Sequence, residues 1–122
     1  MPAEPGTVGV DQVGRATWVV ELHGEHDVLT SESLRAELSK IFAQGTTVVI
    51  DLMPATFIDS SIINELLHAQ RRVESDPNER LAVVAPSGGH PARVLKLVKL
   101  GHVISVFETR QDALGAVDGL LM

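Results

Sequence analysis

Asp59, Ser60 and Ser61 stand together at the head of an apolar-periodic run, inside the stretch TVVIDLMPATFIDSSIINELLHA that spans Thr47–Ala69. A carboxylate beside two hydroxyls offers two kinds of chemistry. Aspartate and serine are favoured N-cap residues, so the trio can satisfy the free amides of a helix and do nothing more. Capping accounts for one of the three, or two. It does not account for a strand–turn–helix unit that carries Asp51, Asp59, Ser60 and Ser61 amid apolar neighbours. A serine in a first helical turn can also accept a phosphate. Free N–H groups and the positive end of the helix dipole tolerate the added charge of about −1.5 to −2. A phosphate there would change what the surface binds while the domain stays folded.

Other chemistry is less well supported. No serine sits in a G-x-S-x-G pattern, and five histidines scattered through 122 residues supply a nearby imidazole by chance, so a hydrolytic triad has no basis. Pro86–His90, PSGGH, lacks the G-x-x-x-x-G-K-[ST] pattern and reads as a turn. A small-ligand or nucleotide sensor using that turn and the strand ends is the rival reading from another functional class. His23 and His26 have a spacing found in metal sites, but no cysteine and no third ligand supports them, so both read as surface or loop histidines. Arg93, Lys96 and Lys99 recur on one helix face. A solvated face with cations toward the negative dipole end explains them, and an anion or partner contact is the alternative. No cofactor and no metal is expected, and no catalytic residue.

Several elements must position these side chains. Val8–Val13 and Ala16–Leu22 read as a hairpin turning at Gly14-Arg15. HGEHDVLT then breaks the pattern. Thr30 or Ser31 is expected to cap a helix with Leu34, Leu38, Ile41 and Phe42 on one face, ended by Gly45. Thr46–Leu52 reads as a strand covered on both sides. A helix over Ser60–Glu74 puts Ile62, Ile63, Leu66, Leu67 and Val73 on one side, and SDPNE follows as a loop. Arg80–Ala85 is a buried strand, Pro91 opens a helix running to Leu100 with Gly101 as its stop, and Val103–Phe107 is a last strand. Thr109 caps a final helix, with Asp112 three residues on in a capping-box arrangement and Ala113, Leu114 and Val117 along the helix. The order ββαβαβαβα predicts an α/β fold with a mixed, mostly parallel sheet of about five strands and about four helices. One domain over residues 7–118 is expected, with tails at 1–6 and 119–122.

Composition narrows the function classes. Hydrophobic residues make up 44% of the chain and aromatics only 3%, so the core must be built from Val, Leu, Ile and Ala. The absence of cysteine excludes a disulfide framework and a thiolate metal site, and it fits a reducing cytoplasm. A net charge of −6 argues against direct nucleic-acid binding; it suits a basic partner, or simply solubility. No apolar run approaches the roughly 18 residues of a membrane span. The start, MPAEPGTVGV, lacks the basic-then-apolar order of a signal peptide. A cytoplasmic protein without membrane contact is expected.

Over about residues 8–118 the chain resembles STAS domains, and among them the stand-alone anti-sigma factor antagonists of bacteria. The likeness rests on VVELHGEHDVLTSESLRAEL, TTVVIDLMPATFIDSSIINELLHAQRR and LAVVAPSGGHPARVLKLVKLGHVISVFETRQDAL. Its specific centre is a buried strand ending in Asp, then FIDSS and a helix; a G-E-x-D element (Gly24, Glu25, Asp27) supports it. The resemblance implies a STAS-like fold and a regulator that catalyses nothing. It implies Ser61 as phosphoacceptor, Ser60 as its neighbour, and Asp59 and Asp27 as acidic residues beside it. Asp27, Asp59, Ser60, Ser61 and Ile62 form the expected partner surface. The implied partner is an anti-sigma factor that is also a serine kinase. Binding it releases a sigma factor, phosphorylation ends the complex, and a phosphatase restores it. A monomer or weak dimer is expected. The chain departs from the pattern in one place, because the family usually has Gly where Ile62 stands. If Ile62 points outward it would hinder phosphoryl transfer, which would favour a STAS scaffold subunit of a larger signalling complex with little or no phosphorylation. If it points inward it is core.

Overall fold

In the computed structural model, residues 6–44 and 46–119 are described. Residues 1–5 and 120–122 of the expected tails over 1–6 and 119–122, and the expected helix stop at Gly45, lie outside them. The hairpin forms as its spacing predicts: β1 (Thr7–Gln12) pairs antiparallel with β2 (Thr17–His26). Helix α1 (Val28–Phe42) leads to β3 (Thr47–Asp51), then β4 (Ala55–Ile58), α2 (Ser60–Glu74) and β5 (Arg80–Val84). Helix α3 (His90–Leu97), a 3₁₀ turn over Leu100–His102, β6 (Val106–Phe107) and α4 (Arg110–Gly119) complete the chain. The strand order is β1-β2-β3-β5-β6, with β4 paired to β2, and every pairing but the hairpin is parallel.

Alternation along the strands divides the core into two layers, since successive side chains leave opposite faces of a sheet. Val20, Leu22, Val48, Ile50 and Val83 face one cluster, joined by Leu34 and Leu38 of α1 and by Ile62 and Leu66 of α2. Val19, Val49, Ala82 and Val84 face the other, under Ala113 and Val117 of α4. Burial on both faces explains the apolar run Val48–Ile50 at the centre of the segment Thr46–Leu52, all of which is buried. Two ion pairs anchor α2. Arg35 of α1 binds the buried Glu65 carboxylate at 2.6 Å, and Arg72 binds the buried Glu79 at 3.0 Å. Among the described residues, no helix is long and apolar enough to cross a membrane.

Five features differ from expectation. The sheet has six strands, because β4 forms where a turn was expected. Its burial runs buried, exposed, exposed, buried behind Pro54, which hides the two-residue period from the sequence. Helix α1 starts before Thr30 and Ser31, and Asp27 is its cap. Gly24 and Glu25 belong to β2 rather than to a loop. Helix α3 stops at Leu97, and Lys99, with φ 55°, turns the chain before Gly101 is reached; β6 keeps only Val106 and Phe107 of the expected strand.

Candidate functional site

Strands β2 and β4 bring two helix starts together. Their parallel register pairs Glu25 with Phe57 and His26 with Ile58. The register slips between Gly24 and Glu25, and Gly24 has φ 82°, a left-handed value that glycine adopts without strain. The next residue on each strand is an aspartate, and each aspartate is an N-cap: Asp27 for α1, Asp59 for α2. The two helices therefore begin as neighbours along one end of the sheet.

The caps differ in construction. Asp27 Oδ1 accepts the Leu29 amide at 2.9 Å, and the Thr30 hydroxyl accepts the Asp27 amide at 3.0 Å, a reciprocal capping box. Asp59 Oδ1 accepts the Ser61 amide at 2.9 Å, and the Asp59 carbonyl accepts the amides of Ile62 and Ile63. Aspartate thus fills the capping role at α2, and neither serine hydroxyl is required for it. Ser60 is exposed and Ser61 half-buried, as the first and second residues of the helix. A group added to Ser61 would sit at the positive end of the helix dipole.

Ile62 does not share that surface. It is fully buried against the core formed with Leu34, Ile50 and Leu66. Its expected place among partner-contacting residues is therefore corrected, because a helix turns about 100° per residue and the position after Ser61 faces the sheet. Asp51 is also absent from the site. It is buried and ion-paired at 3.0 Å with Arg110, whose guanidinium also holds Glu21 at 3.1 Å, tying the start of α4 to β2 and β3. Of the expected residues, Asp27, Asp59, Ser60 and Ser61 lie together at the two helix starts.

Other residues join them. Val28 and Leu29, just past the first cap, are 64% and 81% exposed. Phe57 is partly exposed and stacks on His90 with centroids 4.9 Å apart, and His90 Nδ1 lies 3.4 Å from the Ile58 amide. Beneath α1, His26 is fully buried, so the expectation of a surface or loop histidine fails. Its Nε2 meets the His23 carbonyl at 2.9 Å and its Nδ1 meets the Thr30 hydroxyl at 3.1 Å. Burial lowers its pKa below the ordinary imidazole value, partly opposed by the His23 carbonyl and the Asp27 charge. His23 instead lies at the surface and contacts Glu21 at 3.3 Å. Among the described residues, no group of three or more His, Asp or Glu side chains is placed to hold a metal. The capping-box spacing of Asp27 and Thr30 was a readable signal for the α1 start; the Phe57–His90 stack, which spans two elements, had none.

A domain model described as Mlab, STAS domain, matches residues 9–106. The chain belongs to the STAS domain family. Among solved STAS-like structures, an anti-sigma factor antagonist from Mycobacterium paratuberculosis superposes with TM-score 0.81 at 23% identity, covering 93% of this chain and 95% of that one; at this identity the likeness is one of fold. The anti-sigma factor antagonist SpoIIAA in its unphosphorylated form gives TM-score 0.76 at 28% identity, with 93% and 97% covered. The Bacillus cell fate determinant SpoIIAA in its phosphorylated form gives 0.70 at 27% identity, with 91% and 99% covered. No curated protein matches this chain in sequence.

Proposed function

We propose that this STAS domain is an anti-sigma factor antagonist that acts by binding rather than catalysis. It docks an anti-sigma factor with serine kinase activity through Asp27, Asp59, Ser60 and Ser61, and phosphorylation of Ser61 releases that partner. A phosphatase resets the switch, and the domain works in the cytoplasm as a monomer or weak dimer. The observation that carries the reading is the cap geometry. Asp59 already satisfies the Ser61 amide, so Ser61 can exchange hydroxyl for phosphate without costing α2 its cap. Exposed Val28, Leu29 and Phe57 add apolar contact around the polar centre, the composition of a docking surface rather than of a solvated helix end. The solved phosphorylated and unphosphorylated forms of SpoIIAA support a switch of this kind in a relative.

A phosphate on Ser61 places about −1.5 to −2 charges where a partner would pack. One like-charge contact costs on the order of 1–4 kcal/mol, a five-fold to several-hundred-fold loss of affinity. Ser61→Asp is therefore expected to weaken the complex over that range while far-UV circular dichroism and Tm stay near wild type. Equal binding by the variant would refute the switch, and an unfolded variant would make Ser61 structural. Phosphosite mapping by mass spectrometry, after incubation with the candidate kinase and ATP, should find the phosphate on Ser61. The alternative of a scaffold subunit drew its support from an outward Ile62, and a side chain packed into the core does not obstruct the serines.

A further inference from the structure

Two sequence features are not used by the proposed switch: the Arg93, Lys96, Lys99 face and the part of the Pro86–His90 turn before His90, which itself stacks on Phe57. The fold brings parts of both to one cavity of about 410 Å³, between α3, the 3₁₀ turn and the ends of β5 and β6. Ala92, Leu95 and Val106 give it an apolar lining, Lys96 and Lys99 bring two ammonium groups, and Ser87 and Glu108 complete it. Ser87 donates its amide at 2.9 Å and its hydroxyl to the two Glu108 oxygens, and these bonds hold the Glu108 pKa below the usual carboxylate range. The carboxylate is thus fixed in its charged form within the same cavity. Among the described residues, neither lysine has an ion-pair partner, although the chain carries a net charge of −6.

The backbone supplies an independent observation. Lys99 has φ 55° and ψ 36°, the left-handed conformation that ends many helices and that glycine or asparagine usually supplies. Lys99 is exposed, so packing does not require its side chain. A strained non-glycine residue that lines a cavity points to a use for its side chain.

We propose that this cavity binds a small organic anion: a carboxylate or phosphate monoester with an apolar body and a hydroxyl or amino donor. The anionic head pairs with Lys96 and Lys99, the body lies on Ala92, Leu95 and Val106, and the donor reaches Glu108. This site is distinct from the Ser61 surface and does not depend on the proposed switch.

The test is a titration of the full chain, followed by amide NMR shifts, with 4-hydroxyphenylacetate, with phenyl phosphate and with inorganic phosphate. Saturable shifts centred on Ser87, Leu95, Lys99 and Val106 with at least one aryl probe, and much weaker shifts with inorganic phosphate, are expected. Lys99→Gly should keep or raise Tm, because glycine relieves the left-handed strain, while weakening the aryl probe at least about tenfold. Lys96→Ala should weaken it similarly. The proposal is overturned if neither aryl probe saturates at millimolar concentration, if inorganic phosphate binds as well as both, or if Lys99→Gly binds like wild type. A fall in Tm on Lys99→Gly would also overturn it, by showing that the lysine serves the fold.

Discussion

Helices α1 and α2 start side by side, each behind an aspartate, yet the two starts are built for different ends. At α1 the cap is locked twice. Asp27 and Thr30 exchange hydrogen bonds, and the Thr30 hydroxyl also meets the buried His26 ring. The residues that follow, Val28 and Leu29, are exposed and apolar. At α2 one carboxylate bond, from Asp59 to the Ser61 amide, holds the side-chain cap, and the residues that follow are serines. The α1 start is thus a fixed, greasy edge, whereas the α2 start carries two hydroxyls that its cap does not use, where the proposed switch would add charge. The His26–Ile58 register places the two starts side by side, so the proposed partner would meet a constant contact beside a variable one.

The comparison is tested most severely at Ile62, the residue on which the α2 start rests. Ile62→Gly removes a fully buried side chain. The expected loss is about 2–5 kcal/mol for the cavity and about 1 kcal/mol for glycine in a helix, read as a lowered denaturation midpoint. If the variant is as stable as wild type, the inward packing of Ile62 is wrong and the serine surface must be redrawn. The caps come next. Asp59→Ala should cost about 1 kcal/mol, and Asp27→Ala more, up to about 2 kcal/mol, because it removes one half of a reciprocal box. Urea titrations of the two variants rank them directly. Equal losses would mean that the double lock at α1 adds nothing.

Much of this arrangement was legible in the sequence, for identifiable reasons. The apolar face of α1 was visible because Leu34, Leu38, Ile41 and Phe42 recur at helical spacing, and all four are buried. The buried β3 and β5 announced themselves as continuous apolar runs. The FIDSS motif located the start of α2 because an aspartate before serines has a local meaning that survives folding. What was hidden depends on residues far apart in the chain. Asp51 looked like part of the serine neighbourhood, only eight positions from Asp59, until its partner Arg110 emerged from the start of α4. Strand β4 was missed because four residues with one exposed pair carry no usable period. His26 looked superficial because HGEHD is polar throughout, whereas a lone imidazole can be buried once a carbonyl and a hydroxyl take its two nitrogens.

That histidine provides the finest test of the difference between the two starts, because it touches α1 and not the Asp59 cap. With Nε2 donating to the His23 carbonyl, Nδ1 of the neutral ring accepts from Thr30, whose oxygen in turn accepts the Asp27 amide. Burial depresses the His26 pKa from the ordinary 6.5, so the unfolded chain takes up a proton before the folded one does. Stability contributed by the neutral ring is therefore complete above pH 6.5, and it is lost as pH falls from there through the folded value. Protonation would make Nδ1 a donor, turn the Thr30 hydroxyl toward the Asp27 carbonyl at 3.1 Å, and perturb the box at α1. His26→Gln should be less stable than wild type at pH 8 and should lose stability less steeply on acidification, so the two curves converge below pH 6.5. Backbone amide shifts of Asp27, Leu29 and Thr30 should follow the His26 titration, while those of Ser60 and Ser61 should not. Parallel stability curves, or serine amides that titrate with His26, would show that the two starts form one coupled cap, and the separation of a fixed edge from a variable one would fail.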